Sequence, residues 1–407
     1  MDFNDTPELA AFRSEIRAWL DDNAEKRTDK LHVGMEGEAA FREAKAWYKQ
    51  KSDAGYACLT WPREYGGAGL TSLHDVVWSQ EVANYKTRDA QFVIGIGNCG
   101  PAIMHFAEEE AKRELLPRMA SAEDVWCQLF SEPSAGSDVA GLRTRAERDG
   151  EGWKVNGQKI WTSGAQYSDY GVVLTRTDPT VSKYRGLTLF MIDMRQPGVE
   201  VRPIKQMDGG QHFNEVFFND AVIPDQYRLG EVGGGWTGAL TVLMAERLAI
   251  SGVQPTGFPQ FLDLIKSLEI GGEPVANDPL VRERLATWYS QYAGLQALNM
   301  RMLTAVAKGG MAGAEASMGK LVGAVMNQEI ANFTCQLFGP YGVVLDEQLS
   351  PERAHFQDSV LFSPGVRLAG GTDEVMRNIL AEQVLGLPQE PRADKGMAFQ
   401  DIPTGPS

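Results

Sequence analysis

The chain has 407 residues, too many for one ordinary hydrophobic core, so two or three domains are expected. Hydrophobic residues make up 43% and charged residues 23%, the balance of a soluble globular protein. A formal net charge of -15 without any Lys/Arg run argues against nucleic-acid binding, and no segment offers the roughly 18 uninterrupted apolar residues of a membrane span.

Residues 3–120 read mostly as helices. PELAAFRSEIRAWLDDNA starts behind Thr6 as N-cap and Pro7 at the first position, with Leu9, Phe12, Ile16 and Leu20 at helical spacing. EAAFREAKAWYKQKSDAG, SLHDVVWSQEVANY and AIMHFAEEEAKRELLPRMA repeat the pattern. From about residue 124 the segments become short and rich in β-branched and aromatic residues: VWCQLF, GWKVNG, QKIWTS, YGVVLTRT, GLTLFMID, GVEVRPI and NEVFFND. The close turns between them predict antiparallel pairing, hence a sandwich or barrel. After GEVGGGWTG helices return to about residue 390, apolar on much of their circumference, as in a bundle core or a subunit interface. The expected domains are 1–123, helical; 124–232, an antiparallel β-barrel; 233–393, a four-helix bundle; and 394–407, a tail that is mobile or draped over a partner. The N-terminus lacks signal-peptide order, and Cys58, Cys99, Cys127 and Cys335 are scattered without a C-x-x-C pair, so a reducing cytoplasm is expected.

GIGNCG, Gly95–Gly100, matches the G-x-G-x-x-G of a dinucleotide site and follows the strand-like QFVIG. The fingerprint also needs an acidic residue about 20 positions on, at the end of the next strand, and further β-α alternation, which are missing. A Gly-rich helix connection is the better reading. There is no G-x-S-x-G elbow, and the histidines at 32, 74, 105, 212 and 355 have no metal-ligand spacing. SEPSAGSD is a loop of small residues whose backbone can approach a flat or anionic ligand. Trp161 and Ser163 stand at alternate positions of one strand and share a face. Spacing alone equally allows a core tryptophan and a solvated polar loop.

The stretch SEPSAGSDVAGLRTRAERDGEGWKVNGQKIWTSG resembles the flavin-contacting signature of the acyl-CoA dehydrogenases. LTWPREYGGAGLT, NEVFFNDAVIPDQYRLGEVGGGW, QLFGPYG and GGTDEVMRNILAEQVLGLP resemble further landmarks of that family, in its order, from about residue 5 to 390. The resemblance implies helical, β-barrel and helical-bundle domains, FAD, and 2,3-dehydrogenation of an acyl-CoA thioester. A carboxylate removes the proton beside the carbonyl, the flavin takes hydride from the next carbon, and hydrogen bonds to the thioester oxygen stabilise the enolate-like charge. Electrons then pass to an electron-transfer flavoprotein. By the same resemblance Gln128, Phe130 and Ser131 hold the pyrimidine end of the flavin, and Gly136 and Ser137 lie near the pyrophosphate and the CoA chain. Trp161 packs on the ring and Ser163 sits near its N5. Gln336 and Gly339 meet the adenosine half from a neighbouring subunit, and Thr372 and Glu374 lie near the phosphates and ribose.

Two departures stand out. LIKSLEIGGEPVANDPLVRERLA lacks the R-x-x-F-G whose arginine grips the FAD pyrophosphate in many members, and Gly370, in AGGTDEV, stands where many carry the catalytic glutamate. Other members carry that carboxylate in an E-R pair on the helix after the barrel, as VLMAERLAI does here. Glu246 has Val242, Leu243, Ala249 and Ile250 as helical neighbours, so lost solvation should raise its pKa towards the range of a useful base. Arg247 points about 100° away and is expected to order the active-site floor, on the substrate side with Ser137, or the flavin-side loops. The plain alternative is a Glu–Arg pair on a solvated face; Asp373 and Glu374 are the competing carboxylates. Three functions remain in view: a competent dehydrogenase, one subunit of a hetero-oligomer with a paralogue, and an oxidase or monooxygenase on the same fold. A homodimer or tetramer is expected if FAD is shared across an interface, and the position of the base favours branched, long or ring-bearing acyl groups.

Overall fold

Thr6 begins the first helix, as its sequence predicts. In the computed structural model α1 (Pro7–Asn23) starts where the Thr6 hydroxyl accepts the N–H of Leu9 at 3.3 Å, and Ile16 and Leu20 are fully buried. The structure describes residues 5–27, 37–253, 257–307, 313–392 and 394–403, with backbone alone for 247–253 and 306–307. The chain forms two compact units: one runs to Glu246 and includes the C-terminal segment from Glu390, and the other is Arg247–Gln389.

In the first unit, α2 (Glu38–Asp53) and α3 (Ser72–Val82) follow α1. The stretch read as one helix from Ala102 is two, α4 (Gly100–Phe106) and α5 (Glu109–Ala120), because Ala107 is extended. The strand-like QFVIG is corrected: Ala90–Phe92 is a 3-10 turn and Ile94–Cys99 a π turn, closed by the Gly100 N–H donating to the Gly95 carbonyl. Two glycines of GIGNCG serve close packing, Gly95 on the Cβ and backbone of Trp126 and Gly100 on the Trp61 indole. A β-carbon on Gly95 would stand 3.0 Å from Trp126, and one on Gly100 would stand 2.3 Å from the Trp61 ring.

The sheet comprises β1 (Trp126–Leu129), β2 (Arg145–Asp149), β3 (Gly152–Ser163), β4 (Tyr170–Arg176), β5 (Leu187–Asp193), β6 (Val199–Ile204), β7 (Phe213–Pro224) and β8 (Arg228–Leu229). Its order is β6-β7-β3-β2-β4-β5-β8, with β1 beside β4. The antiparallel expectation needs correcting at one place. β1 runs parallel to β4, and Arg145 meets Arg176 in a further parallel pair, because β1 reaches β4 through a long excursion that includes β2 and β3. Period-two alternation then serves two cores. Val172, Leu174, Leu187, Leu189 and Met191 face a core with α4 and α5, whereas Val173, Phe190 and Ile192 face Trp153, Val155, Val216 and Ile223. This accounts for the uninterrupted apolar runs of β4 and β5.

The tail is not free. The Phe399 N–H donates to the Val181 carbonyl at 2.8 Å, the Gln400 N–H donates to that of Pro179 at 3.0 Å, and Asp394 pairs with Lys183 at 2.5 Å. Phe399 also lies 3.4 Å from the Arg176 guanidinium, whose burial pushes its pKa down to about 10. Residues 394–403 therefore lie along their own chain, which corrects the expectation of a mobile or partner-draped segment.

α6 (Gly235–Val253) leads to the second unit, which holds α7 (Phe258–Ile265), α8 (Pro279–Ala307), α9 (Ser317–Leu337), α10 (His355–Leu368) and α11 (Asp373–Ile379). α8 buries Val281, Trp288 and Leu295 against Phe261, Met326 and Ile330, and Met302, a further seven residues on, is also buried. Its Leu280, Tyr289 and Met300 stay exposed.

Candidate active site

α6 presents Ala239, Val242, Leu243 and Glu246 at i, i+3, i+4 and i+7, one helical stripe. Ala239 and Val242 are fully buried, Leu243 packs on the same core, and Glu246, next on the stripe, is half-buried. Half-burial of Glu246 argues against a fully solvated face at that position. The side chains of Arg247, Ala249 and Ile250 lie outside the described residues. Glu246 has a polar partner that sequence did not reveal. Gln128 of β1 donates from Nε2 to Glu246 Oε2 at 3.1 Å, and Asn98 donates from Nδ2 to Gln128 Oε1 at 3.2 Å. Burial, with the neighbouring Cys127 and Glu246, holds the Cys99 thiol well above its ordinary pKa, so it stays neutral beside that carboxylate.

The SEPSAGSD loop is fixed from beneath and open above. Lys159, with no exposed surface, donates to the Phe130 carbonyl at 3.0 Å and to Glu132 at 2.9 Å. Glu132 also accepts the N–H of Arg143 at 2.6 Å and of Thr144 at 2.8 Å, while the Ile160 N–H donates to the Ser131 carbonyl at 3.0 Å. Gly136 and Ser137 are exposed, and a β-carbon on Gly136 would meet nothing within 4 Å. Trp161 and Ser163 lie on the less buried side of β3, on either side of buried Thr162. A register break between Lys159 and Thr162 sets that phase and puts Trp161 at φ 60. Its indole is 56% exposed and meets Phe213 edge-on, with ring centroids 6.0 Å apart. A bulky residue held at positive φ with an open aromatic face is a candidate functional position.

In the second unit Gly370 has φ 64 and Gly371 φ 101. Lys320, almost fully buried, donates to the carbonyls of Arg367 at 2.7 Å and Gly371 at 2.5 Å. Asp373 is buried and paired to Arg367 Nε at 2.7 Å, and Glu374 is exposed. The Thr372 hydroxyl caps α11 by accepting the Val375 N–H at 3.3 Å. Gln336 lines a groove of ≈ 280 Å³ with Arg284, Trp288, Glu329, Asn332 and Phe333, and Gly339 is exposed at φ 57. The left-handed turn explains the glycine at 370. Gly370→Glu is expected to lose roughly 1–2 kcal/mol through strain at positive φ. A thermal melt checks this, and an unchanged midpoint would mean that the turn relaxes.

Residues 6–123, 127–221 and 233–385 match the N-terminal, middle and C-terminal domains of acyl-CoA dehydrogenases. The chain belongs to the acyl-CoA dehydrogenase family. It is 35% identical over 393 residues to the acyl-CoA dehydrogenase IpdE1 of Mycobacterium tuberculosis, covering 94% of this chain and 99% of that protein. Among solved structures it is similar to the ChsE4-ChsE5 complex from Mycobacterium tuberculosis, with TM-score 0.79 and 27% identity over 96% of this chain and 100% of that one. The Tcur3481-Tcur3483 steroid ACAD gives the same figures: TM-score 0.79, 27% identity, 96% and 100%. This acyl-CoA dehydrogenase is thus an oxidoreductase with the family's helical, β and helical domains in order. Among the described residues no helix is long and apolar enough to cross a membrane, and no group of three or more His, Cys, Asp or Glu could hold a metal.

The residues of this acyl-CoA dehydrogenase fit a flat, hydrogen-bonding cofactor ring: an open indole on a fixed strand, beside a loop without side-chain bulk. Within the first unit the structure brings Glu246 and the Gln128 side chain together. Asn98 was missed because it sits in a glycine motif of a different apparent meaning; an isolated amide between apolar and glycine residues was the only signal. Arg284 was missed because no motif surrounds it.

Proposed function

We propose that the chain catalyses FAD-dependent 2,3-dehydrogenation of an acyl-CoA thioester to the trans-2-enoyl-CoA, with Glu246 as the base. One observation carries the reading: Glu246 stands next on the buried stripe of α6 with an amide donor on its carboxylate. The competing carboxylates are worse placed, since Asp373 is committed to an ion pair with Arg367 and Glu374 is exposed. Glu246 takes the proton beside the thioester carbonyl. FAD, when bound, supplies the hydride acceptor for the adjacent carbon.

For the cofactor, Phe130 and Ser131 border the flavin, Trp161 covers one face, and Ser163 lies near the reacting edge. Gly136 and Ser137 leave room for phosphate and the CoA chain. Thr372 and Glu374 are assigned to the phosphates and ribose, Gln336 and Gly339 to the adenosine half of a neighbouring subunit's FAD, and Arg284, in the groove with Gln336, offers a guanidinium where the R-x-x-F-G motif is missing. Arg247 is assigned a supporting role. The likeness to a steroid ACAD favours a bulky, ring-bearing acyl group, and the likeness to the ChsE4-ChsE5 complex favours a hetero-oligomer with a paralogue over a homo-oligomer. The exposed Leu280, Tyr289 and Met300 on α8 supply apolar surface for such an interface. An electron-transfer flavoprotein is the expected electron acceptor.

The test is the purified chain under anaerobic conditions with straight, branched and ring-bearing acyl-CoAs. A yellow protein bleached most readily by ring-bearing thioesters is expected. A colourless protein that gains flavin only with a paralogue would make it one half of a hetero-oligomeric site. Fast reoxidation by air would instead make it an oxidase or monooxygenase.

A further inference from the structure

We propose that Asn98 and Gln128 form an amide relay that orients Glu246 and favours its ionised, proton-accepting form. The proposal rests on the reading of Glu246 as the base. Both are positioning residues: they act through the carboxylate.

The direction of the relay follows from donor and acceptor counts. An ionised carboxylate only accepts, so Gln128 must turn its Nε2 towards Glu246. That leaves Gln128 Oε1 facing away, where only a donor satisfies it, and Asn98 Nδ2 stands there at 3.2 Å. Each amide orientation is therefore fixed by the charge at the far end of the chain. Burial on an apolar helix stripe raises a carboxyl group's pKa, and a donated hydrogen bond lowers it. Gln128 supplies the second effect at 3.1 Å. Too much desolvation would leave Glu246 protonated and useless as a base, whereas full solvation would make it a weak one.

The backbone around Asn98 is built to hold it. The π turn adds a residue to the helical path, and its glycines allow close contact with Trp126 and Trp61. The Cys99 thiol donates to the Cys127 carbonyl at 3.6 Å, which stitches the π turn to β1 next to Gln128. Asn98 is 5% exposed, and its Oδ1 is buried with no hydrogen-bond partner among the described residues. A half-satisfied buried amide is a cost that packing alone does not explain. Cys99 is the titratable group facing Glu246 from the π turn, and it is neutral. The side chain of Arg247 lies outside the described residues.

The experiment uses the FAD-loaded protein and a ring-bearing 3-thiaacyl-CoA in deuterated water. Exchange of the proton next to the carbonyl reads proton abstraction without flavin reduction. Gln128→Leu, apolar and without donors, is expected to slow exchange about 10- to 100-fold at neutral pH and move the acid limb of its pH profile up by about one to two units. Asn98→Ala should shift the limb the same way by less, and should add nothing in the Gln128→Leu background. The melting temperature should stay near the parent's in both, and exchange is compared per bound FAD because Gln128 is also assigned to the pyrimidine end of the flavin. If Gln128→Leu exchanges with the parent's rate and profile while Glu246→Gln does not exchange, the relay is wrong and the base assignment stands. Additive effects of Asn98 and Gln128 would also overturn the relay. If Glu246→Gln exchanges like the parent, the base assignment falls and the relay falls with it.

Discussion

Glu246→Gln is expected to abolish most flavin bleaching by acyl-CoA, by about 10³-fold or more, while FAD stays bound. The substitution keeps size and shape, and its amide carbonyl can still accept from Gln128 Nε2, so this position of the α6 stripe stays packed. What it removes is the ability to take a proton near neutral pH. Asp373→Asn should behave in the opposite way. That carboxylate is buried beside Lys320 and Arg367, so its loss leaves two cations without their counter-charge and lowers stability first. Anaerobic stopped-flow bleaching with a fixed acyl-CoA, alongside the flavin absorbance ratio, separates the two. A Glu246→Gln protein that bleaches within tenfold of the parent would move the base elsewhere. The Glu246→Gln, Gly370→Glu double variant should recover little, because a side chain at 370 must sit on a backbone with φ 64.

Much of this site was legible in the sequence because it rests on local regularities. Helical spacing placed Val242, Leu243 and Glu246 on one stripe, and strand alternation placed Trp161 and Ser163 on one side. Thr6 and Pro7 announced the start of α1. What stayed hidden depends on contacts between distant residues. Gln128 and Glu246 are 118 positions apart, and nothing in either segment signals the other. The parallel pairing of β1 with β4 was hidden because turn chemistry reports on neighbouring strands, while β1 finds its partner some forty residues later. QFVIG misled because β-branched residues in a short apolar run suit a strand and a tightly packed π turn alike. The tail looked mobile from its Pro and Gly content. It is held by a stacking of Phe399 on Arg176 that no local pattern encodes.

Lys159→Met is expected to cost about 3–5 kcal/mol and to loosen FAD, although residue 159 touches no proposed ligand. The lysine is fully buried under the SEPSAGSD loop with Glu132 as its counter-charge, so removing it strands a buried carboxylate and frees the Phe130 carbonyl. Glu132→Gln should be as damaging in the other sense. The double variant Glu132→Leu, Lys159→Met removes both charges and should recover part of the loss, because a buried pair is costly to break and cheap to replace whole. The pH dependence gives a second signature. Burial pushes Lys159 down to about 8, against the pull of Glu132, whereas an unfolded lysine stays near 10.4. Between those values the unfolded chain binds more protons, so this group makes stability rise with pH there. For Glu132, burial raises the carboxyl but the Lys159 charge and the hydrogen bonds from Thr144, Lys159 and Arg143 outweigh it, and its pKa is lowered. Its contribution is present above the ordinary carboxylate range and is lost as pH falls through the lowered folded value. Denaturant melts of parent and Lys159→Met at pH 8 and pH 10 should therefore diverge, with the deficit of the variant growing towards pH 10. A variant that melts like the parent at both values would mean that the pair carries no weight in holding the loop.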